Sequence, residues 1–380
     1  MQAHPKPANP PDEKLDSARF RSKLMAWYKI HARELPWRNV NDPYRTWLSE
    51  VMLQQTRVAA VIDHYQSFLR RFPTMLSLAL ATEPEVLAIW SGLGYYRRAR
   101  MLHKAAQFLV RERNCELPKT AAELRTLPGI GQYTSAAIAS IAFGESIAVV
   151  DGNVERVLLR ISGRPESKSA EGRAYVQKKA AALIPKRSPS KSQLNGSNAP
   201  GDHNQAMMEL GATICLPRAP LCLQCPVFSM CQTRGEHLTT PRAAQLSRQS
   251  AYLLSLRKRG ALTEVLLEQR AAHATLMPGM YELPPIPLDA VQGREPMLRL
   301  RHAITNTNYY VQIYAAHGPA DSGLRRAIPA SNKALTWVLT TRLKSLPLTG
   351  LTRKALQRLD VMPVTLPKLP IIEQTTAATT

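Results

Sequence analysis

The chain has 380 residues, 44% of them hydrophobic, which is long enough for two domains with separate cores and excludes a disordered polymer. Its 50 Lys and Arg against 28 Asp and Glu give a formal net charge of +22, more than solubility requires, so a polyanion is the expected partner. The first residues carry no apolar signal core, no later apolar run approaches the roughly 18 residues of a membrane span, and four of the five cysteines crowd between Cys215 and Cys231 as ligands would in a reducing compartment. A cytoplasmic protein without a membrane or disulfide framework is expected.

Residues 1–14 are polar and proline-rich and read as a disordered lead. From Leu15 through FRSKLMAWYKIHA apolar residues recur every three or four positions, which predicts a helix. The following RELPWRNVNDPYRTW is broken by Pro36 and Pro43 and gathers Trp37, Arg38, Tyr44, Arg45 and Trp47; arginines among aromatics suit bases and phosphates, while Trp47 also suits a core. The helix LSEVMLQQTRVAAVIDHY carries one early acid, Glu50, beside Val51, Met52 and Leu53. Either Glu50 faces solvent, the usual place for a helix glutamate, or it is buried, and then its pKa rises until it can keep a proton at neutral pH as a general acid must. The adjacent Gln54 and Gln55 have side chains able to read base edges or fill a gap in a duplex. Helical segments continue through TMLSLALA and PEVLAIWSGLGYYRRARMLHKAAQFLV. There GLGYYRRAR interrupts the pattern with Tyr95, Tyr96, Arg97, Arg98 and Arg100, either a stacking and phosphate surface or a helix corner with a solvated basic face.

Leu127–Arg156 joins a glycine turn to an acid. Pro128, Gly129 and Gly131 predict a tight turn that opens a helix near Tyr133 and aims backbone N–H groups at one point, an anion cradle. The run AVVDGNV then delivers Asp151 ahead of a helix beginning near Asn153, for which it is a natural N-cap. Helix resumes from Gly172 to Ile184, Lys186 to His203 reads as a flexible basic insertion, and NQAMMELGA from Asn204 to Ala212 is helical again. Cys215, Cys222, Cys225 and Cys231 then form a structural metal site, zinc or iron–sulfur, between which spacing does not decide. Residues 235–247 read as an interdomain linker. Beyond it, AYLLSLRKRGALTEVLLEQR predicts a hairpin about Lys258–Gly260, LRHAITNTNYYVQIYAAHG a further strand, and TGLTRKALQRL a short helix before a polar tail, 363–380. A mainly α-helical N-terminal domain over 15–234, with the cysteine loop at 215–231, and an α+β C-terminal domain over 248–362 are therefore expected.

Taken together and in order, PWR at 36–38, WLSEVMLQQTRV at 47–58, GLGYYRRAR at 92–100, LPGIGQYT at 127–134, VDGNVERV at 150–157, NQAMMELGA at 204–212 and the cysteine pattern resemble the adenine DNA glycosylases, the MutY family of the helix-hairpin-helix glycosylase superfamily. The resemblance covers roughly residues 15–360. It implies a monomer with a [4Fe-4S] cluster on the four cysteines, acting in the cytoplasm at the nucleoid on double-stranded DNA with adenine opposite 8-oxoguanine or guanine. It further implies that Glu50 protonates the departing adenine at N7 and that Asp151 stabilises or traps the deoxyribosyl cation, with Tyr133 and Asn153 supporting the site. As N-cap, Asp151 would be favoured in its charged form, opposite to Glu50. By the same resemblance Trp37 and Arg38, with Gln205 and Glu209, line the adenine pocket; Gln54, Gln55 and Tyr95 fill or wedge the stack; and Pro128, Gly129 and Gly131 grip the backbone. Tyr133 stands where the related endonuclease III type carries a lysine nucleophile, so little strand-nicking lyase activity is expected. The C-terminal domain resembles the family's nudix-like module for 8-oxoguanine but has no glutamate-rich nudix box. Where many members carry Phe-Ser-His, this chain has Ile304, Thr305 and Asn306. The competing readings are an endonuclease III-like oxidised-pyrimidine glycosylase with lyase activity and a non-catalytic mismatch-binding protein.

Overall fold

The computed structural model describes residues 15–40, 42–166, 169–186, 198–237, 245–304, 306–316, 322–329 and 334–362. The expectations for the lead, the tail, residue Thr305 and most of the 186–203 insertion lie outside these residues. The chain divides into two compact units, one formed by the described residues up to Ala81 and from Arg97 to 237, the other by Thr82–Tyr96 with the described residues from 245 onward.

The first unit is helical: α1 (Ser17–His31), α2 (Pro43–Leu53), α3 (Val58–Arg71) and α4 (Met75–Ala79) precede α5 (Glu83–Trp90), which belongs to the second unit, and α6 (Arg97–Arg113), α7 (Ala121–Leu124), α8 (Gln132–Phe143), α9 (Gly152–Ile161), α10 (Ala170–Leu183) and α11 (Ala199–Thr213) follow. Helix α1 buries Phe20, Leu24 and Trp27, one per turn, and packs them with Val154, Val157, Leu158 and Ile161 of α9 and Ala206, Met207 and Leu210 of α11 into one core. The α2 helix starts at Pro43, whose fixed φ suits the first turn, and Asp42 caps it by accepting from the N–H groups of Tyr44 and Arg45. Its far end is held by Arg98 of α6, whose Nη1 donates to the carbonyls of Val51, Met52 and Gln54 at 2.8, 2.9 and 2.6 Å. These are carbonyls a helix end leaves without a partner.

Helix α8 buries Ala136, Ala137 and Ala139, small residues that allow close packing, and ends at Gly144, which adopts φ +72°. In the turn before it Gly129 has φ +75°, and a Cβ there would collide with the side chain of Met101, so both the backbone and the space require glycine. Helix α11 begins at Ala199 rather than near Asn204. Asn198 caps it by accepting from the Gly201 N–H, and Pro200 sits in its first turn, so residues 198–203 of the expected flexible insertion are a helix start. The Asn198 amide also donates to the carbonyls of Ser140 and Ile141 at the end of α8, both at 2.7 Å.

The second unit is built on a seven-stranded mixed sheet: β1 (Leu246–Arg259), β2 (Leu262–Gln269), β3 (Tyr281–Glu282), β4 (Pro285–Ile286), β5 (Leu298–Ile304), β6 (Thr307–Ala316) and β7 (Leu335–Leu339), in the order β3-β2-β1-β6-β5 with β4 on β1 and β7 on β2. Strand β1 pairs antiparallel with β2, as the hairpin expectation had it, and parallel with β6. Residues 298–316 form two strands, a β5–β6 hairpin in which Ile304 pairs with Thr307, instead of the single strand expected. The polar Asn306 occupies the turn and is exposed, and a tight turn there lets Leu298, Leu300, Tyr309, Val311 and Ile313 all reach one core. That core is closed by Leu351, Ala355 and Leu356 of α13 (Gly350–Arg358), which follows the five-residue α12 (Ser322–Arg326). No helix among the described residues is long and apolar enough to cross a membrane.

Candidate active site

Four of the residues expected to act together meet in the first unit. Glu50, in the third turn of α2, has only 5% of its surface exposed. Tyr133 in the first turn of α8 donates its hydroxyl to Glu50 Oε2 at 2.8 Å, and the Tyr133 hydroxyl lies 3.5 Å from the Met208 sulfur of α11. Asp151 caps α9: Oδ1 accepts from the Val154 N–H at 2.8 Å and Oδ2 from the Asn153 amide at 2.9 Å. Desolvation raises the Glu50 carboxyl to about 7, the negative charge of Asp151 adds to the rise, and the Tyr133 hydrogen bond opposes it. Burial, followed by the two carboxylates, pushes the Tyr133 phenol well above its ordinary value, so it remains a donor. The arrangement therefore offers an acid that holds its proton near neutrality beside a carboxylate fixed by two N–H donors, the pairing that general acid catalysis with cation stabilisation requires.

Two further connections set Asp151. Buried Asn204 of α11 accepts from the Val149 N–H at 3.1 Å and donates to the Ile147 carbonyl and the Ser140 hydroxyl, both at 2.9 Å, which fixes the extended lead into α9. Arg156, one turn into α9, donates to Asn153 Oδ1 at 2.9 Å, to the Gly211 carbonyl at 2.7 Å and to the Cys215 carbonyl at 2.8 Å. Gly211 allows this approach, since a Cβ on it would lie 2.6 Å from the Asn153 Cβ. Asn204, Met208 and Arg156 were not singled out in the sequence; an asparagine and a methionine on a helix carry no local signal of what faces them.

A second group surrounds Glu209, which is 1% exposed. Arg33 grips it with Nε at 2.7 Å and Nη2 at 2.8 Å, and Arg38 adds Nη2 at 2.6 Å. Burial acts to raise this carboxyl, but the two guanidiniums outweigh it and hold it at about 2. Arg38 also lies over the Tyr28 ring at 5.5 Å, Tyr28 donates to Gln205 at 3.5 Å, and Trp37 meets Tyr65 edge-on at 5.3 Å. Trp37, Arg38, Gln205 and Glu209 thus share one neighbourhood with Tyr28 and Arg33, which sequence reasoning missed. The only hint was Arg33 just ahead of the proline-broken turn that positions Trp37 and Arg38.

The remaining candidates separate. Gln54 ends α2 and donates its amide to Thr134 at 2.9 Å, whereas Gln55 is exposed with φ +56°. Gly129 and Gly131 are exposed beside half-buried Pro128, and Gly131 is the N-cap of α8 without a side-chain cap, an end open to an anion. Tyr95 belongs to the second unit, as does Asn306, and Thr305 lies outside the described residues.

Cys215, Cys222, Cys225 and Cys231 line one cavity of about 30 Å³ together with Arg160, Phe228 and Arg234. Arg160 Nη1 donates to the Cys215 sulfur at 3.4 Å and the Arg234 N–H to the Cys231 sulfur at 3.5 Å. Burial and the neighbouring sulfurs raise the Cys225 thiol to about 11. Among the described residues no three His, Cys, Asp or Glu are grouped so as to hold a single metal ion. Four sulfurs lining one cavity, with Arg160 and the Arg234 N–H donating to two of them, make a donor set suited to a soft, thiolate-bound metal group.

Residues 48–186 match the HhH-GPD superfamily of base excision DNA repair proteins. The chain is 45% identical to human adenine DNA glycosylase over 224 residues, 57% of this chain and 39% of that protein, and 39% identical to the Mycobacterium tuberculosis adenine DNA glycosylase over 211 residues, 54% of this chain and 65% of that protein. Over these residues the chain is similar to the adenine DNA glycosylases. Less than two thirds of the length of these family members is spanned by the match. Among solved structures, a thermostable thymine-DNA glycosylase is similar with a TM-score of 0.50 and 26% identity, over 57% of this chain and 96% of that one. The fold is thus shared with a glycosylase named for a different base, so the fold by itself does not fix the base.

Proposed function

We propose that the chain is a base-excision DNA glycosylase that hydrolyses the N-glycosidic bond of adenine mispaired with 8-oxoguanine or guanine. The observation that carries the reading is Glu50: buried, held near 7, bonded to Tyr133 and close enough to Asp151 to feel its charge. A stacked base is out of reach, so the adenine is extruded into the site at a cost of a few kcal/mol. Glu50 gives its proton to adenine N7 as the C1′–N9 bond breaks and its electron pair goes to the purine. Asp151, aimed by the Val154 N–H and the Asn153 amide, faces the deoxyribosyl cation, and water completes the abasic site. Trp37, Arg38, Gln205 and Glu209 form the walls that receive adenine, Gln54, Gln55 and Tyr95 occupy the opened stack, and the turn at Pro128, Gly129 and Gly131 holds a phosphate. Tyr133 is a phenol and not an amine, so it forms no Schiff base and the enzyme acts as a glycosylase with at most weak lyase activity.

In this reading the sheet unit is a nudix-like module, and Thr305 and Asn306, which follow Ile304 in sequence, meet the 8-oxoguanine. Cys215, Cys222, Cys225 and Cys231 would hold a [4Fe-4S] cluster, which would supply a cross-link to the loop that Arg156 and Arg160 tie to α9. The enzyme works as a cytoplasmic, nucleoid-associated monomer.

The test is single-turnover cleavage of a duplex with adenine opposite 8-oxoguanine. The native chain should release free adenine, and Glu50→Gln should lower the rate by about 10²–10⁴-fold with duplex binding largely kept. Full activity in that variant would remove Glu50 from the acid's role. Binding without cleavage by the native chain would instead favour the non-catalytic reading, and a borohydride-trapped adduct on oxidised pyrimidines the lyase.

A further inference from the structure

Residues 82–96, which precede the basic helix α6 in sequence, pack as part of the sheet unit. The GLGYY turn within them holds Gly92 at φ +114°, Gly94 at +71° and Tyr95 at +49°, and a tyrosine in the left-handed region persists only where its surroundings impose it. The Tyr95 side chain is 47% exposed, while Tyr96 beside it is 4% exposed. The surroundings that impose this are specific. The Trp90 indole donates to the Gly94 carbonyl at 3.1 Å and closes the turn on itself. The hydroxyls of Ser91 and Tyr96 both donate to the Leu348 carbonyl, at 2.7 and 3.2 Å, and Arg353 Nε of α13 donates to the Ser91 hydroxyl at 2.7 Å.

Leu348 is itself immobilised. Its side chain is fully buried in the core that also takes Leu300 of β5 and Val311 of β6. The flanking Pro347 and Thr349 exchange backbone hydrogen bonds with Tyr281 of β3, both at 2.9 Å. From the same place α13 reaches β5: Lys354 Nζ donates to the Arg301 carbonyl at 3.0 Å, and the space where a Gly350 Cβ would stand is bounded by the His302 ring at 3.7 Å and the Tyr96 hydroxyl at 4.0 Å. His302 is two residues from Ile304, where the β5–β6 hairpin begins to turn.

We infer that Ser91, Tyr96 and Arg353 are positioning residues that mount Tyr95 on the same rigid body as the β5–β6 hairpin, so the residue that enters the stack and the residues that meet the oxidised base move together. The inference rests on the proposed role of Tyr95 in the opened duplex. A shared mount fixes the separation between the wedge and the hairpin, and a partner base that does not suit the hairpin then also misplaces the wedge. Discrimination between 8-oxoguanine and guanine is thereby amplified without a further base contact.

The full-length protein tests this by a double-mutant cycle on affinity for a duplex with a non-cleavable adenine analogue opposite 8-oxoguanine or guanine, with thermal unfolding followed in parallel. Tyr96→Phe keeps the ring and deletes one donor, and combined with Ser91→Ala it should weaken 8-oxoguanine binding by about fivefold or more, the worth of a hydrogen bond or two. It should also narrow the ratio between the two duplexes. In a Tyr95→Ala background the same pair of changes should have no further effect on binding. Equal losses in both backgrounds, which a merely folding role would produce, or no loss in either while Tyr95→Ala alone weakens binding, would overturn the inference. Should Tyr95→Ala itself bind both duplexes as the native chain does, the wedge reading fails, and the inference with it.

Discussion

Glu50 and Glu209 are both helix glutamates followed by an apolar residue, and both are almost fully buried, at 5% and 1% exposure. Yet one is held near 7 and the other near 2. Burial favours the neutral form of each; what differs is the partner. Glu50 meets a neutral phenol and a second carboxylate, and Glu209 meets two guanidiniums in fork geometry. The first keeps its proton close to neutrality, and the second is a fixed anion that orders Arg33 and Arg38 around the neighbourhood of Trp37 and Gln205. The same side chain thus becomes a proton-holding acid or a fixed anion according to what faces it.

The comparison is broken most forcefully at Glu209. Glu209→Gln leaves two partly desolvated arginines without their anion and should lose about 3–5 kcal/mol of stability in urea unfolding at pH 7. A loss below about 1 kcal/mol, the worth of an exposed pair, would mean that the site is wetter than its burial indicates.

Asp151→Asn comes next, because asparagine caps a helix about as well as aspartate. Stability should change by less than about 1 kcal/mol, while the single-turnover rate falls by about 10²–10³-fold if the carboxylate charge is what faces the cation. Comparable losses in both would reduce Asp151 to a cap.

The two glutamates should also give opposite stability slopes with pH. Glu209, depressed from 4.5 to about 2, contributes stability above pH 4.5 that is lost as pH falls toward 2. Glu50, raised from 4.5 to about 7, contributes most below pH 4.5 and loses its contribution as pH rises through 7, where the buried carboxylate must ionise. Each is worth on the order of 3 kcal/mol at its limit. Urea unfolding from pH 3 to 8 on the native chain and on Glu50→Gln should show the alkaline decline flattened in the variant; an unchanged decline would place the titration elsewhere. The smallest effect belongs to Tyr133→Phe. It removes the hydrogen bond that lowers the Glu50 pKa, so the alkaline limb of the pH–rate profile should move upward by less than about one pH unit, roughly the worth of one hydrogen bond.

Much of the chemistry was legible in the sequence because it depends on local pattern. The cap at Asp151, the glycine turn ahead of Tyr133, the hairpin about Gly260 and the cysteine quartet each follow from neighbours a few residues apart. The start of α11 was equally local, written in Asn198 and Pro200, and was obscured by the basic run before it. The β5–β6 turn was hidden inside a run rich in β-formers with only Asn306 and its neighbours to break it.

What no local pattern carried is which groups face one another. Tyr133 is 83 residues from Glu50, and Arg33 and Arg38 are 176 and 171 residues from Glu209. Ser91 and Tyr96 of the 82–96 segment bond to the Leu348 carbonyl, more than 250 positions away. By itself the sequence determined most of the helical and sheet segments, the acids available and the four clustered cysteines. Tertiary structure alone decided which glutamate keeps its proton and on which body Tyr95 rides, because desolvation and charge pairing are set by distance in space and not by distance along the chain.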